Sequence, residues 1–139
     1  MNDYTKMKKE EFEPLYFKTF KHFIPKPLTY GLEIKPGWYN LVWDLTETID
    51  RYLKNNDKKA TVILDQVKEK FGGLRYYYHL EGEPKKDTFK MIWGMNWLAE
   101  SQSFNICQEC GLRGELDKNE RWYKTLCPKH KKLSSAVKT

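Results

Sequence analysis

Two short stretches, Cys107-Gln-Glu-Cys110 and Cys127-Pro-Lys-His130, constrain this chain more than any others. Each is a pair of metal-ligating residues with two residues between, short enough to fold as a tight knuckle. Sixteen residues separate the two pairs. Three thiolates and one imidazole arranged this way can wrap one ion tetrahedrally, the usual structural zinc set. All three cysteines of the chain fall inside the pattern, so a disulfide reading would leave one over. Iron–sulfur clusters usually take four thiolates and fit less well. Four protein ligands leave no coordination position for water, so the pattern predicts a structural zinc held by Cys107, Cys110, Cys127 and His130. Gly111 suits the turn after the first knuckle. Residues 112–116 and 121–126 read as a short hairpin, and Cys127-Pro-Lys-His130 as the opening of a terminal helix. Knuckle, hairpin and helix in that order describe a treble-clef-like zinc finger, ending in the basic residues Lys129, Lys131 and Lys132.

Upstream the chain reads as helix, helix, hairpin, helix. Pro14 can occupy the first turn of a helix continuing over 15–24. Pro25, Pro27 and Pro36-Gly37 frame an irregular connection. Trp38, Leu41, Val42, Leu45, Ile49, Tyr52 and Leu53 recur at helical spacing and predict a helix over 38–54, closed by Asn55-Asn56-Asp57. Asp87 suits the N-cap of a third helix over 88–103, whose Met91, Trp93, Met95 and Trp97 read as core residues.

Between the last two helices, residues 61–70 have the β-branched weight of a strand and 74–80 supply its partner. Gly72-Gly73 lacks the Lys-Ser/Thr of a phosphate loop and is followed by strand-like Leu-Arg-Tyr-Tyr-Tyr, so it reads as a two-residue primed turn. That turn predicts Phe71 opposite Leu74, Glu69 opposite Tyr76, Val67 opposite Tyr78 and Asp65 opposite Leu80, on the core face. The other face would pair Lys70 with Arg75, Lys68 with Tyr77 and Gln66 with His79. Such a basic face is either an ordinary solvated surface or a platform for phosphates, with Tyr77 and His79 free to stack on a base.

At 139 residues the chain suits an α+β core domain over 1–104 with the zinc module, over 105–139, packed on it. Aromatics at 15% rule against disorder despite the 32% charged fraction, and the net charge of +6 favours an anionic partner. No run approaches the roughly 18 apolar residues of a membrane span, and the first ten residues lack a signal-peptide core. The sequence therefore predicts a soluble, cytoplasmic protein. Enzyme chemistry is the minority reading. His22 and His79 have no Asp, Asn or His partner close in sequence. Asp65 and Glu69 alone could suggest a Mg²⁺ site for a nuclease.

The stretches GWYNLVWDL, QVKEKFGGLRYYY and CQECG…WYKTLCPKH resemble an uncharacterised family of small phage and prophage proteins. The resemblance runs from about Gly37 to His130. It implies the same four metal ligands and draws interest to Lys68, Glu69, Lys70, Gly72, Leu74 and Arg75. A phage setting implies a host-cell cytoplasm and raises a host-directed binder as a reading. The leading expectation is a non-enzymatic, zinc-binding accessory protein that binds nucleic acid through Lys68, Lys70, Arg75, Tyr77, His79, Lys129, Lys131 and Lys132. The alternatives are a protein-binding module that inhibits a host protein, using the aromatic segment Tyr16, Phe17, Phe20 and Phe23, and a metal-dependent nuclease.

Overall fold

The computed structural model describes residues 2–118 and 122–137. The chain is α+β. Strand β1 (Leu32–Glu33) runs parallel to β2 (Ala60–Lys70), which pairs antiparallel with β3 (Gly73–Gly82), giving the order β1-β2-β3. Helix α1 (Lys9–Thr19) and helix α2 (Tyr39–Asn56) build the core against this sheet, and helix α3 (Lys86–Ser103) packs beside β3 and α2.

Helix α2 forms where its periodicity predicts, entered through a 3-10 turn at Pro36–Trp38 and ended at Asp57. Its Val42, Leu45, Thr46, Ile49 and Leu53 are buried. The N-terminal helix differs from expectation. The Lys8 amide donates to the Glu11 carboxylate (3.3 Å), which starts α1 at Lys9 and places Pro14 inside the helix rather than in its first turn. The aromatic residues after it are not a free binding segment. Tyr16, Phe20 and Phe23 are almost wholly buried and Phe17 is half-buried, and Phe12 ahead of them is buried as well. Phe12 stacks on Tyr39 with centroids 3.9 Å apart, and Phe20 meets Trp43 edge-on at 4.9 Å. Aromatic surface of this size is worth more in a core than in water, and packing claims it here.

The hairpin forms, but its turn lies one residue earlier than expected. Lys70 faces Gly73, Glu69 faces Leu74, Lys68 faces Arg75, Val67 faces Tyr76 and Gln66 faces Tyr77. The turn residues are Phe71 (φ 55°) and Gly72 (φ 85°), both left-handed as a primed turn requires. Phe71 is therefore expelled from the core face it was expected to share with Leu74. A bulge at Asp65 then brings Leu64 opposite Tyr78 and Ile63 opposite His79. The bulge keeps Val62 and Leu64 on the same face as Val67 despite an odd spacing, so all three are buried with Leu74 and Tyr76.

Helix α3 spans Lys86–Ser103, and its cap comes from outside the helix. Asp57 accepts from the Lys85 amide (2.8 Å) and from the Thr88 hydroxyl (2.6 Å), a role expected of Asp87. The tryptophans and methionines are not core either. The helix buries Thr88, Ile92, Ala99 and Ser103, while Met91, Trp93 (59% exposed) and Trp97 (57%) face outward and Met95 is half-buried. Small residues let the helix approach β3 closely enough to bond its open edge. Ser103 Oγ accepts from the Leu74 amide (2.9 Å) and Asn96 donates to the Tyr76 carbonyl (3.1 Å).

At the centre, the Thr46 hydroxyl donates to the Val42 carbonyl (2.8 Å), so its lone pairs are left for the phenols of Tyr16 (2.6 Å) and Tyr76 (3.0 Å). Burial raises the pKa of both phenols and keeps them protonated donors. Thr46→Val removes the shared acceptor and strands two buried O–H groups, so chemical denaturation should show a loss of about 1–3 kcal/mol. Adding Tyr16→Phe and Tyr76→Phe should recover part of that loss. The Asp57 carboxylate is held below its ordinary pKa, first by the Lys85 amide and then by Thr88. Its contribution is complete above about pH 4, the unfolded value, and is lost as pH falls through the lower folded value. Asp57→Asn should lower the melting temperature by several degrees at neutral pH and flatten its decline in acid.

Candidate metal centre

The two knuckles converge. Strands β4 (Glu115–Asp117) and β5 (Lys124–Leu126) form an antiparallel ribbon, and helix α4 (Pro128–Val137) follows Cys127 directly. The ribbon is shorter than expected from 112–116 and 121–126, and Arg121 lies outside the described residues. Cys107, Cys110, Cys127 and His130 bring their ligand atoms within 4.8 Å of one another, a set that can hold one metal ion. Among the described residues no other such group of His, Cys, Asp and Glu occurs. Cys110 Sγ stands 3.8 Å from Cys127 Sγ, and His130 Nδ1 lies 3.6 Å from Cys107 Sγ and 3.1 Å from Cys127 Sγ.

Backbone geometry sets these positions. The Gly111 amide donates to the Cys107 carbonyl (2.9 Å), Gly111 takes φ 83°, and the Cys107 amide donates to the Leu112 carbonyl (2.7 Å). Gln108, between the first two cysteines, is buried and ties its knuckle to β5. Its amide donates to the Thr125 carbonyl (2.9 Å), and its side-chain oxygen accepts from the Thr125 amide (2.7 Å). Cys127 sits at the N-terminus of α4. Burial raises its thiol, but the His130 amide and the facing side chains of His130, Cys107 and Cys110 outweigh it and bring Cys127 down to about 6. Burial is the first cause that pushes Cys110 up, with the neighbouring thiols adding to it. A divalent cation would relieve that crowding by neutralising the thiolates.

The centre is built onto the helical core through residues that the motif does not contain. The Gly37 amide donates to the Gln108 carbonyl (2.8 Å), and Trp38 Nε1 donates to the Ile106 carbonyl (2.9 Å). A Cβ on Gly37 would overlap the Cys107 carbonyl oxygen and the Gln108 backbone. From the other side, Thr125 Oγ1 donates to the Gly72 carbonyl (2.7 Å), which joins β5 to the turn of the long hairpin. Nothing in the spacing of the ligands reveals these supports, although Gly37-Trp38 lies within the stretch that opens α2.

The residues expected to form a basic face are dispersed in charge environment. Lys68 and Arg75 are direct cross-strand neighbours, in place of the expected Lys70–Arg75 pair; Tyr77 faces Gln66 rather than Lys68, and His79 faces Ile63 rather than Gln66. Arg75 is ion-paired with Glu100 of α3. His79 lies between Asp65 and Glu81, each at 3.0 Å, and its pKa is raised, chiefly by Asp65. His22 likewise meets Asp50 at 2.9 Å, so each histidine has an aspartate partner distant in the chain, while Glu81 stands two residues on from His79. Asp65 and Glu69 do not converge as a metal site: Asp65 holds His79, and Glu69 accepts from the Gly72 amide (3.3 Å). Lys129, Lys131 and Lys132 are exposed on α4. Arg75 and Tyr77 also line an open recess of about 300 Å³ with Trp93, Asn96, Trp97 and Glu100.

No protein-family profile, curated protein or solved structure matches the chain. Among the described residues no helix is long and apolar enough to cross a membrane.

Gly37→Ala touches no ligand but must displace the first knuckle from α2. It should lower metal affinity by roughly tenfold, the scale of losses from supporting groups around metal ligands. Competition against a chromogenic chelator measures this, alongside elemental analysis giving about one metal per wild-type chain.

Proposed function

We propose that the ion is zinc, that the C-terminal segment is a treble-clef-like zinc finger, and that the protein is a non-enzymatic accessory protein that binds nucleic acid through its hairpin face. Following the motif resemblance, we take it to be encoded by a phage or prophage. The donor chemistry supports zinc. At Zn–S of about 2.3 Å and Zn–N of about 2.0 Å, a tetrahedron has S···S edges of about 3.8 Å and S···N edges of about 3.5 Å. The observed 3.8 and 3.6 Å fit, and the 3.1 Å from Cys127 to His130 is somewhat tighter. Knuckle, ribbon and helix N-terminus in succession support the finger. A closed set of four ligands supports a structural role.

The observation that carries nucleic-acid binding is the continuity of cations with aromatic surface. Among the described residues, Lys68 and Lys70 have no carboxylate within ion-pair distance. Lys68 adjoins Arg75, and the strand then presents Tyr77 beside the exposed Trp93 and Trp97 of α3. Cations that track phosphates beside aromatic faces that stack on bases are the recurring design for single strands. The second reading, a protein-binding module directed at a host protein, is supported by a different surface. Met91, Met95 and Leu98 of α3 line open grooves with Leu41 and Tyr52 of α2.

Zinc identity is checked by elemental analysis. The binding test is Lys68→Gln with Lys70→Gln, because a glutamate at 68 would set a second carboxylate against Glu33, and Arg75 is left intact because its loss would strand Glu100. The double variant should fold normally, bind more weakly, and flatten the salt dependence by about 1.5 in log–log slope, as expected for two lost phosphate contacts. If wild type binds neither DNA nor RNA at low ionic strength, the protein-partner reading takes first place.

A further inference from the structure

Residue 71 breaks two rules at once. Both turn positions have positive φ, where asparagine and glycine are preferred because a larger L-residue brings its Cβ against the following carbonyl. Phe71 is the only non-glycine residue at positive φ among the described residues. The residue is also 64% exposed, so core packing does not hold it there. A bulky residue kept in a strained conformation without burial points toward a function.

The surroundings give that ring a fixed platform. Thr125 Oγ1 clamps the Gly72 carbonyl and Ser103 Oγ takes the Leu74 amide, so the turn is anchored on both sides. Tyr123, just ahead of β5, meets Phe71 edge-on at 6.5 Å, and Lys70 Nζ stands 5.7 Å from the ring centroid. The charge along the hairpin is uneven. At the far end His79 is flanked by Asp65 and Glu81, and in the middle Arg75 is matched by Glu100. At the turn, Lys68 and Lys70 share one face, with Glu33 of β1 in register beside Lys68 but bonded to Gln66, while Glu69 between them points to the other face and is engaged by the Gly72 amide. Among the described residues, Lys70, beside the exposed ring, is the cation of this face with neither an ion pair nor a carboxylate opposite it in the sheet.

We propose that Phe71 is a stacking contact for an unpaired nucleobase of single-stranded nucleic acid, with Lys68 and Lys70 on the adjoining phosphates. This rests on the nucleic-acid reading above and adds the residue and the strandedness of the partner. A base offers a flat π-face with a phosphate close by, which matches an exposed aromatic ring with two lysines on the adjoining face. Within a duplex the base faces are already stacked on one another, so an aromatic tip has access to them only in single strands or at ends.

The test is fluorescence anisotropy with labelled oligothymidylate and oligouridylate and with a blunt-free circular duplex, in parallel with thermal melts. Phe71→Asn installs a residue that the turn prefers, so its melting temperature should equal or exceed that of wild type. Its affinity for single strands should fall about tenfold or more, the loss of one stacked base, with the salt slope unchanged because no phosphate contact is removed. Phe71→Trp should keep wild-type affinity. Equal affinity of Phe71→Asn and wild type overturns the stacking contact and leaves the hairpin-face reading standing, as does equal wild-type affinity for the circular duplex. A wild type that binds no oligonucleotide overturns both. Cross-linking of residue 71 to a protein in that case would assign the tip to a protein partner.

Discussion

The indole of Trp38 joins the two halves of this molecule. Its ring is fully buried at the start of α2, and its Nε1 donates to the Ile106 carbonyl, one residue before the first cysteine of the cluster. Beside it, Gly37 lets the knuckle backbone come close enough for its own amide to reach the Gln108 carbonyl. A buried indole N–H without a partner is costly, so core packing of Trp38 and the position of the knuckle support each other. The cluster of three cysteines and one histidine is thus positioned by the hydrophobic core. Gln108 and Thr125 extend the same logic within the centre, because their paired hydrogen bonds bring the second knuckle to the first.

A second constraint is the open edge of β3. An exposed strand edge invites further pairing, and α3 answers it with Ser103 and Asn96 rather than with another strand. Close approach requires a narrow helix face, which Thr88, Ile92, Ala99 and Ser103 provide. The large apolar residues of α3 are consequently turned to its flanks. The aromatic surface beside Tyr77 follows from how the helix must pack.

The hairpin unites these features. Its core face feeds Tyr76 into the hydroxyl group of Thr46, its edge bonds α3, and its turn carries the clamp from Thr125. Its outer face is graded in charge, from carboxylate-flanked His79 to Lys70 beside Phe71, which has no ion pair among the described residues. A turn fixed this firmly can hold a strained residue, since anchoring on both sides offsets its local cost.

Local spacing alone determined much of this protein. The convergence of Cys107, Cys110, Cys127 and His130 into one cluster that could hold a metal ion was legible because two residues between each pair suffice for a knuckle. Helix α2 was legible because its apolar residues repeat at helical period over several turns, and the positive φ of Gly111 followed from its place after the knuckle. Other features depended on partners distant in the chain. The turn of the hairpin moved by one residue because register is decided by the bulge at Asp65 and by packing of Val67, Leu74 and Tyr76, and strand propensity is blind to such a shift. The tryptophans of α3 and the aromatics of α1 have similar hydrophobicity, yet one set is exposed and the other buried. Composition cannot separate them, because burial is set by which helix face fits the neighbouring strand. The aspartates beside His22 and His79, the Asp57 cap of α3 and the Gly37 support of the knuckle likewise arise only when the chain folds back on itself. Sequence fixes what a residue can bond, and tertiary structure decides which partner comes within reach.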